Sequence, residues 1–319
     1  MMLEENEKEF TRCNITKWHN WGYEGQGVKI AIIDEKGKDD GTMLDWCHFP
    51  LGEAAEKGHG VSVAKVLHEV APKAEIHLFS YLDGDDKKRA EIIDYVIGND
   101  YDLVNVSLSV SDGKNEPIRL LEHGDLPVVA ASGNGGNENR LCFPASADWT
   151  IAVGALQQSI DKVAPFSNGG ENLDCLGYSF INYLNSKGKS VSFSGTSCAA
   201  PFVTGMIALW MSWCKMIGYQ PGREAVKQFV RKHCIDYGAE GKDKASGYGL
   251  LVLPGKLTPA KITMEIGSKT AIVNGKEVQI DVAPYVKQDR TMVPLRFVAE
   301  ALGAEVNYIP KGQKIEIVL

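Results

Sequence analysis

Phe193-Ser194-Gly195-Thr196-Ser197-Cys198-Ala199-Ala200-Pro201 is followed by an uncharged, largely apolar run that ends at Trp213. The glycine allows a tight turn, and the small residues after it allow a helix to approach its neighbours closely. The first N–H groups of a helix lack internal partners and its dipole is positive there, so the start of this helix favours negative charge beside Ser197. The stretch therefore predicts a serine placed where an oxyanion can be stabilised. An ordinary buried helix with a serine near its cap is the alternative.

Length and composition indicate a globular protein with one large core and a small second unit. The 319 residues are 44% hydrophobic and 24% charged, which is ordinary for such proteins. The formal net charge of -7, without a basic tract, argues against a nucleic-acid partner and against an anionic membrane surface. The uncharged run at 191–214 is long enough to span a bilayer, but its serines, glycines and proline predict a buried core helix.

The seven cysteines are scattered without a C-x-x-C pair, and no export signal opens the chain. We therefore expect reduced thiols in a cytoplasmic protein. Cys47-His48 and His233-Cys234 lack the paired spacing of a zinc site, so we expect no metal at either place.

Apolar strand patterns alternate with helical patterns along the first half of the chain. The expected strands are 28–33, 75–79, 103–108, 127–131 and 149–153, and the expected helices are 15–23, 61–70, 87–97 and 117–123. This alternation predicts an α/β fold with a mostly parallel sheet and helices on both faces. The strand at 28–33 is apolar at nearly every position, as expected for a strand buried on both faces.

Two polar residues, Asp34 and His59, lie at positions of this strand and helix pattern that often hold functional side chains. Asp34 ends the strand at 28–33, and ligands of open α/β sheets gather at the carboxyl ends of strands. Capping of the next turn is the alternative role for this carboxylate. His59 lies between Gly58 and Gly60 just before the helical pattern, although a lone histidine is more often an ordinary polar residue.

Asp34, His59, Asn134 and Ser197 follow one another in the order of the catalytic and oxyanion residues of subtilisin-like serine proteases, and residues 15–255 resemble that family. The matching stretches are 28–34, 58–60, 102–109, 128–135, 151–155, 166–169 and the serine stretch at 193–201. The resemblance implies a subtilisin-like three-layer fold and a serine endopeptidase.

By this resemblance Ser197 is the nucleophile, and His59 is the base that takes its proton and later protonates the leaving amine. Asp34 holds the imidazole tautomer and stabilises the imidazolium. The side-chain amide of Asn134 and the backbone N–H of Ser197 form the oxyanion hole. The implied reaction is peptide hydrolysis through an acyl-enzyme, without a cofactor.

The resemblance also assigns residues to the binding of a protein or peptide substrate. These residues are Ser107, Leu108, Ser109, Ala131, Ser132, Gly133 and Cys142. The segment 107–109 is expected to pair with an extended substrate strand. Ser132 and Gly133 are expected to wall the primary specificity pocket, with Cys142 toward its floor. A neutral floor of modest size favours an apolar or uncharged side chain before the scissile bond. The acidic residues Asp83, Asp85 and Asp86 either favour basic residues further upstream or form a solvated loop.

Several positions depart from the family pattern. Glu35-Lys36-Gly37 follows Asp34 where Thr-Gly is usual, Val61 replaces a threonine, and Cys198 stands where methionine is common. These changes concern the support of the catalytic residues more than the type of reaction. The chain enters Ala71-Pro72-Lys73-Ala74 without the insertion that forms the family's tight calcium loop. We therefore expect that site to be absent, with weaker calcium sites elsewhere left open.

Residues 1–14 are acidic and polar, and we expect a frayed arm. The arm is too short to replace the family's long folding propeptide, which has no counterpart before the resemblance begins. An inhibitory segment that reaches the active site is the alternative role for these residues.

The peptidase domain is expected at 15–255, a linker at 256–260 and a small α+β domain at 261–319. Strand patterns at 261–266 and 269–280, the latter with an Asn274-Gly275 turn, precede a helix at 293–303 and a final hairpin at 306–319.

Through residues 291–299 this C-terminal part is similar to the copper-amine-oxidase-like N-terminal domain that is often appended to Firmicutes proteins. It contains no His and no Cys, so we expect no copper role. Binding of a partner protein or self-association is the expected role, and a stabilising cap on the peptidase domain is the alternative.

The sequence therefore favours a serine endopeptidase with an accessory module. A catalytically weak or inactive pseudoprotease that acts as a binding scaffold is the rival hypothesis, supported by the altered surroundings of Asp34 and His59. The complete set of four residues argues against it, because a scaffold has no physical need for all of them. A protease that cleaves a single partner or its own linker would also suit the C-terminal segment.

Overall fold

The computed structural model describes residues 3–35, 46–51, 58–82, 84–110, 116–159, 161–185, 187–256, 262–273, 276–301, 305–309 and 313–318. The chain divides into two compact units. One consists of Met1–Trp213 with Gln220–Leu253, and the other of Cys214–Tyr219 with Pro254–Leu319.

The described helices are α1 (Glu7–Arg12), α2 (Ile15–Asn20), α3 (His59–Val70), α4 (Asp86–Gly98), α5 (Thr196–Met216), α6 (Arg223–Lys232) and α7 (Leu295–Ala301). Two further segments, Glu4–Asn6 and Pro117–His123, are 3-10 helices. The strands of the first unit are β1 (Lys29–Asp34), β2 (Cys47–His48), β3 (Glu75–Ser80), β4 (Leu103–Val106), β5 (Val128–Ala131), β6 (Ile151–Gln157), β7 (Lys162–Val163), β8 (Leu173–Tyr178), β9 (Phe180–Leu184), β10 (Ser190–Ser194), β11 (Cys234–Ile235) and β12 (Leu250–Leu251).

Ten of these described strands form one sheet in the order β11-β12-β8-β6-β5-β4-β1-β3-β2, with β7 beside β6. Every neighbouring pair is parallel except β11 with β12 and β6 with β7. The predicted α/β class with a mostly parallel sheet is therefore confirmed. From β1 the strand order runs one way through β3 and β2, and the other way from β4 onward. A topological switch point thus lies between β1 and β4, where open α/β sheets form a crevice at the strand ends.

Helices cover both faces of this sheet. Ala31 and Ile33 of β1 belong to a buried cluster that also contains Ile92 and Ile93 of α4. Because side chains alternate along a strand, Ile32 points to the opposite face, and it is also fully buried. On that side α3 packs against β1 and β3. The continuous apolar character of β1 follows from this burial on two faces.

Helix α5 is the most deeply buried long helix of the fold. It is long and apolar enough to cross a bilayer, but 94% of its most apolar 18-residue stretch is buried inside the protein. A Cβ on Gly177 of β8 would lie 2.6 Å from the Ala199 carbonyl oxygen, so the helix and the strand are in close contact. This burial agrees with the core helix expected from the sequence.

The expectation of a frayed arm at residues 1–14 is wrong for the described part of that segment. Residues 3–14 contain a 3-10 turn and α1, and Asn6, Phe10 and Cys13 are buried. These three side chains recur at intervals of three and four residues, which places them on one helical face. The acidic side chains of Glu4, Glu5 and Glu7 lie on the exposed face, which accounts for the polar appearance of the sequence.

The second unit is built from short antiparallel strands and α7. Its strands are β13 (Ile262–Met264), β14 (Thr270–Val273), β15 (Lys276–Gln279), β16 (Tyr285–Lys287), β17 (Arg290–Met292), β18 (Glu305–Ile309) and β19 (Lys314–Val318). They pair as β13-β14-β15, β16-β17 and β18-β19. The expected turn at Asn274-Gly275 lies outside the described residues.

Candidate active site

An open cleft of about 390 Å³ lies at the carboxyl ends of β1, β4 and β5, beside the switch point of the sheet. Its lining residues are Asp34, Glu35, His59, Leu82, Ser107, Leu108, Ser109, Ala131, Gly133, Asn134, Cys142, Thr196 and Ser197. Every residue that the sequence analysis assigned to catalysis or substrate binding is among them except Ser132.

Asp34 and His59 form a hydrogen-bonded pair at one side of the cleft. Asp34 ends β1 and His59 begins α3, and the His59 Nδ1 lies 2.8 Å from Asp34 Oδ1. The carboxylate is fully buried, whereas the imidazole is 30% exposed. Gly60 permits this approach, since a Cβ there would lie 2.9 Å from the Glu35 carbonyl oxygen. The strand end and the helix start therefore meet through a contact that leaves no room for a side chain.

Burial raises the pKa of Asp34 above its ordinary value, opposed by the hydrogen bonds from His59 and from the Glu35 N–H. Burial disfavours the charged form of His59, but its hydrogen bond to Asp34 and the charges of Asp34 and Glu35 outweigh it and raise the pKa of His59. The bond to an ionised Asp34 assigns the proton of neutral His59 to Nδ1. The Nε2 atom is then free to accept a proton.

Glu35 is a cleft residue to which the sequence analysis assigned no role. Its Oε1 accepts a hydrogen bond from the backbone N–H of His59 at 3.1 Å, and its side chain is exposed. The glutamate thus braces the start of α3 and places a negative charge near the imidazole. The signal for this role was its position directly after Asp34, where the chain departs from the family pattern.

Ser197 is the second residue of α5. Gly195, directly before the helix, has a φ of 112° that a residue with a side chain rarely adopts. The Ser197 Oγ donates a hydrogen bond to the backbone carbonyl of Ser107 at 3.0 Å. Among the described contacts, none joins this hydroxyl to His59. Catalytic hydrogen bonds are often long or unformed without substrate, and a rotation about χ1 would redirect the hydroxyl.

Asn134 faces the start of α5. Its Oδ1 accepts hydrogen bonds from the Thr196 N–H at 2.9 Å and from Thr196 Oγ1 at 3.0 Å. Because a backbone N–H can only donate, this pairing assigns the amide oxygen to Thr196 and leaves the Nδ2 donors for another partner. The backbone N–H of Ser197, in the first turn of α5, has no carbonyl four residues earlier within the helix. The Asn134 Nδ2 group and the Ser197 N–H are therefore candidate donors to an oxyanion.

Thr196 is a second residue without a role in the sequence analysis, although it stands inside the serine stretch. Besides its two bonds to Asn134, its Oγ1 accepts the Gly133 N–H at 3.2 Å. The side chain is 1% exposed. Thr196 thus holds the Asn134 amide and the Gly133 backbone in one arrangement.

Hydrogen bonds from buried polar side chains hold the segment 107–109 in place. Asn105 Nδ2 donates to Ser107 Oγ at 2.9 Å, and Thr204 Oγ1 of α5 donates to Asn105 Oδ1 at 2.9 Å. Satisfied buried networks of this kind hold a backbone in one position. The edge to which an extended substrate is expected to pair is therefore tied to the helix that carries Ser197.

Cys142 lies directly under Gly133. A Cβ on Gly133 would come within 2.5 Å of both Cys142 Sγ and Asn168 Nδ2. Asn168, to which the sequence analysis gave no role, accepts hydrogen bonds from the N–H groups of Gly135 and Asn137 at 2.9 and 3.1 Å. Asn168 thus holds the loop after β5, and Cys142 lines the cleft next to Gly133. The position of Cys142 at the floor of a specificity pocket stays a prediction.

Ser132, for which the resemblance implies a place in the pocket wall, is not among the described residues that line the cleft. Its side chain is fully buried, and its carbonyl accepts the Cys142 N–H at 3.0 Å. Ala131, at the end of β5, does line the cleft. The part that Ser132 takes in substrate binding stays a prediction.

The positions of Asp85 and Asp86 favour a solvated segment over a role in binding basic substrate residues. Asp85 is the N-cap of α4 and accepts the Lys88 N–H at 2.9 Å, while Asp86 is 95% exposed. Asp83 lies outside the described residues. Of residues 82–86, only Leu82 lines the cleft in the described part of the chain.

In the described residues, no three His, Cys, Asp or Glu side chains are grouped so that they could hold a metal ion. The absence of the tight calcium site stays a prediction. None of the seven cysteines, which all lie in the described part of the chain, forms a disulfide.

The model of the Subtilase family matches residues 51–249, which is more than half of the chain and includes His59, Asn134 and Ser197. The model of the copper amine oxidase N-terminal domain matches residues 256–317. Both family resemblances noted in the sequence are therefore confirmed.

Two curated relatives come from Bacillus subtilis (strain 168). The minor extracellular protease Epr is 29% identical over 257 residues, which cover 72% of this chain and 38% of that protein. Subtilisin E is 29% identical over 222 residues, which cover 61% of this chain and 58% of that protein. The matches thus span less than two thirds of the length of these relatives.

Two solved structures share the fold. A lanthipeptide protease superposes with a TM-score of 0.64 at 20% sequence identity, over 78% of this chain and 94% of the other. The prenylagaramide maturation protease PagA superposes with a TM-score of 0.62 at 22% identity, over 74% and 94% respectively. At these identities the likeness supports the fold alone.

The prediction of a cytoplasmic protein is contradicted by these comparisons. It rested on the composition of the first residues and on the scattered cysteines, whereas one of the curated relatives is named an extracellular protease. Cysteine usage and the composition of the first residues were insufficient grounds for assigning a compartment.

Proposed function

Because this chain belongs to the subtilase family, we propose that it is a serine endopeptidase with Ser197 as nucleophile, His59 as base and Asp34 as orienting acid. The observation that carries the proposal is the 2.8 Å hydrogen bond between His59 Nδ1 and Asp34, in a cleft that also holds Ser197 and Asn134. A buried carboxylate that fixes one imidazole nitrogen and leaves the other facing a serine is the arrangement that activates a hydroxyl.

In the proposed reaction the Ser197 hydroxyl leaves the Ser107 carbonyl and attacks the carbonyl carbon of the scissile peptide. Its proton passes to His59 Nε2, and the Asn134 Nδ2 donor and the Ser197 N–H stabilise the oxyanion. The intermediate collapses to an acyl-enzyme as His59 protonates the departing amine. Water then attacks the ester with His59 again acting as base, which releases the acid and restores the Ser197 hydroxyl.

The proposed substrate is an extended segment of a protein or peptide. Its backbone would pair with residues 107–109, and the side chain before the scissile bond would enter the space bounded by Ala131, Gly133 and Cys142. None of these three residues is Asp, Glu, Lys, Arg or His. An apolar or uncharged residue is therefore the proposed preference at that position.

For the second unit we propose binding of a partner protein or self-association. Several of its large apolar side chains are exposed, including Val286 at 58%, Ile315 at 56% and Tyr308 at 55%. Tyr308 and Ile315 lie opposite each other in the pair β18–β19. Exposed apolar side chains that neighbour one another favour an association surface over a cap that only stabilises the peptidase domain.

A pseudoprotease is the second candidate, and one observation favours it. The Ser197 hydroxyl is engaged by the Ser107 carbonyl rather than by His59. If that bond persists when a substrate occupies the cleft, the nucleophile stays inactive and the cleft only binds.

A peptide-library digestion tests the proposed function. The intact chain and the variants Ser197→Ala and His59→Ala are incubated with the library, and the products are identified by mass spectrometry. Cleavage by the intact chain that both variants lose, with uncharged residues before the cut, supports the endopeptidase. Binding of library peptides without any cleavage by the folded intact chain supports the pseudoprotease.

A further inference from the structure

The described segment 3–12 packs against elements that carry catalytic residues. Asn6 is 1% exposed and Phe10 is fully buried. Phe10 meets Phe202 of α5 edge-on, with ring centroids 6.0 Å apart. None of the described residues of this segment lines the cleft, so its contacts support the site rather than cover it.

Asn6 binds the backbone of β9 in the manner of a neighbouring strand. Its Nδ2 donates to the Asn182 carbonyl at 2.8 Å, and its Oδ1 accepts the Asn182 N–H at 2.9 Å. Both ends of the amide are therefore satisfied by one residue, and their orientation is fixed because a backbone N–H only donates. On its other side β9 pairs with β10, where Asn182 lies opposite Ser192. Asn6 thus occupies an edge of this two-stranded hairpin that would otherwise be unpaired there.

The hairpin of β9 and β10 also contacts the helix that carries the base. Tyr183 Oη and Ser62 Oγ of α3 lie 2.9 Å apart. Lys65 Nζ of α3 donates to the Leu184 carbonyl at 3.3 Å. These contacts fix α3, and hence His59 at its first residue, against β9.

The second strand of the same hairpin leads into the nucleophile. The Phe193 ring of β10 packs edge-on against the imidazole of His59, with centroids 5.2 Å apart. Ser194 ends β10, and Gly195 then connects it to Thr196 and Ser197 at the start of α5. One hairpin therefore touches the base through one residue and continues directly into the nucleophile.

We infer that Asn6 is a positioning residue, which holds the β9–β10 hairpin so that His59 and Ser197 keep their relative placement. The inference rests on the proposed function for its consequence in turnover, but its structural part concerns the hairpin alone. It assigns the N-terminal segment a role opposite to inhibition, because removal of the segment would lower activity. Misplacement of reacting groups by about 1 Å can lower a rate on the order of a hundredfold.

The test compares Asn6→Ala and Asn6→Asp with the control Asn14→Ala in the full chain. Asn6→Ala removes both bonds to Asn182, and Asn6→Asp replaces the donor to the Asn182 carbonyl with an oxygen. Asn14 lies two residues beyond this segment and donates to the Leu253 carbonyl at 2.7 Å, away from the hairpin, with a φ of 60° that disfavours alanine. The control therefore destabilises the fold without touching β9.

We expect kcat for a cleaved peptide to fall at least about tenfold in both Asn6 variants, with KM within about twofold of the intact chain. Asn14→Ala should lower the thermal midpoint and leave kcat of the folded protein unchanged. Hydrogen exchange should become faster in residues 180–194 of Asn6→Ala. Equal kcat losses in the Asn14 control, or an unchanged kcat in folded Asn6→Ala, would overturn the inference.

Hydrogen exchange separates failure of this inference from failure of the proposed function. If the intact chain cleaves nothing, the proposed function fails, and the exchange comparison still decides the hairpin contact. Unchanged exchange in residues 180–194 of Asn6→Ala then overturns the positioning role, and faster exchange there supports it.

Discussion

Gly60→Ala is expected to damage catalysis through a single added methyl group. That methyl would lie 2.9 Å from the Glu35 carbonyl oxygen, 2.9 Å from Leu78 Cδ1 and 3.2 Å from Asp34 Cβ. Carbon atoms in good contact are about 3.5–4.0 Å apart, so α3 and the end of β1 must separate by roughly 0.5 Å or more. Because Asp34 ends β1 and His59 begins α3, this separation lengthens or misaligns the hydrogen bond between them.

Two magnitudes follow from this displacement. Overpacking of a buried contact costs about 1–3 kcal/mol of unfolding free energy, which for a domain of this size lowers the thermal midpoint by roughly 2–12 °C. A shift of roughly half an ångström in a catalytic pair should lower kcat/KM at least about tenfold. Because His59 moves relative to Asp34 while the wall of the substrate pocket stays in place, we expect most of the loss in kcat.

Gly98→Ala is the matched control. Gly98 ends α4, and no heavy atom lies within 4 Å of a Cβ built there. Alanine in a helix is more stable than glycine by up to about 1 kcal/mol, so this variant should unfold at the same or a slightly higher temperature. Its kcat/KM should equal that of the unmodified chain. Peptide hydrolysis and thermal unfolding are measured on both variants. A folded Gly60→Ala with unchanged kcat/KM would show that the close contact at Gly60 does not position His59.

Two further predictions concern Glu35 and Thr196. The charge of Glu35 contributes to raising the pKa of His59, and the base must be neutral to act, so Glu35→Gln should move the acid limb of kcat/KM to lower pH. A pH profile in which the limb stays in place or moves upward would contradict this sign. Thr196→Val removes one of the two hydrogen bonds that orient the Asn134 amide, and should lower kcat about tenfold with little change in KM. Steady-state kinetics check the second prediction. It fails if kcat is unchanged and kcat/KM falls through a rise in KM.

The sequence was sufficient for the features that depend on local pattern. The apolar run of β1 with an acid at its end and the glycines around His59 place both residues where the structure has them. The glycine and small residues around Ser197 do the same for the start of α5. In each case backbone geometry or burial restricts which residue types can occupy the position.

Other features depended on tertiary contacts that no local pattern contains. Asn6 is buried where the 3-10 helix Glu4–Asn6 meets the backbone of β9. The Ser197 hydroxyl bonds to Ser107 through a choice of rotamer, which the sequence does not specify.

Fluorophosphonate labelling tests most directly whether this chain holds an activated serine. The probe reacts with a serine whose hydroxyl is deprotonated by a neighbouring base, and the labelled residue is then identified by mass spectrometry. An activated Ser197 predicts about one label per folded chain, located on Ser197 and lost in Ser197→Ala and on unfolding. No label on the folded chain, or an equal amount of label on the folded Ser197→Ala variant, would contradict the presence of an activated Ser197.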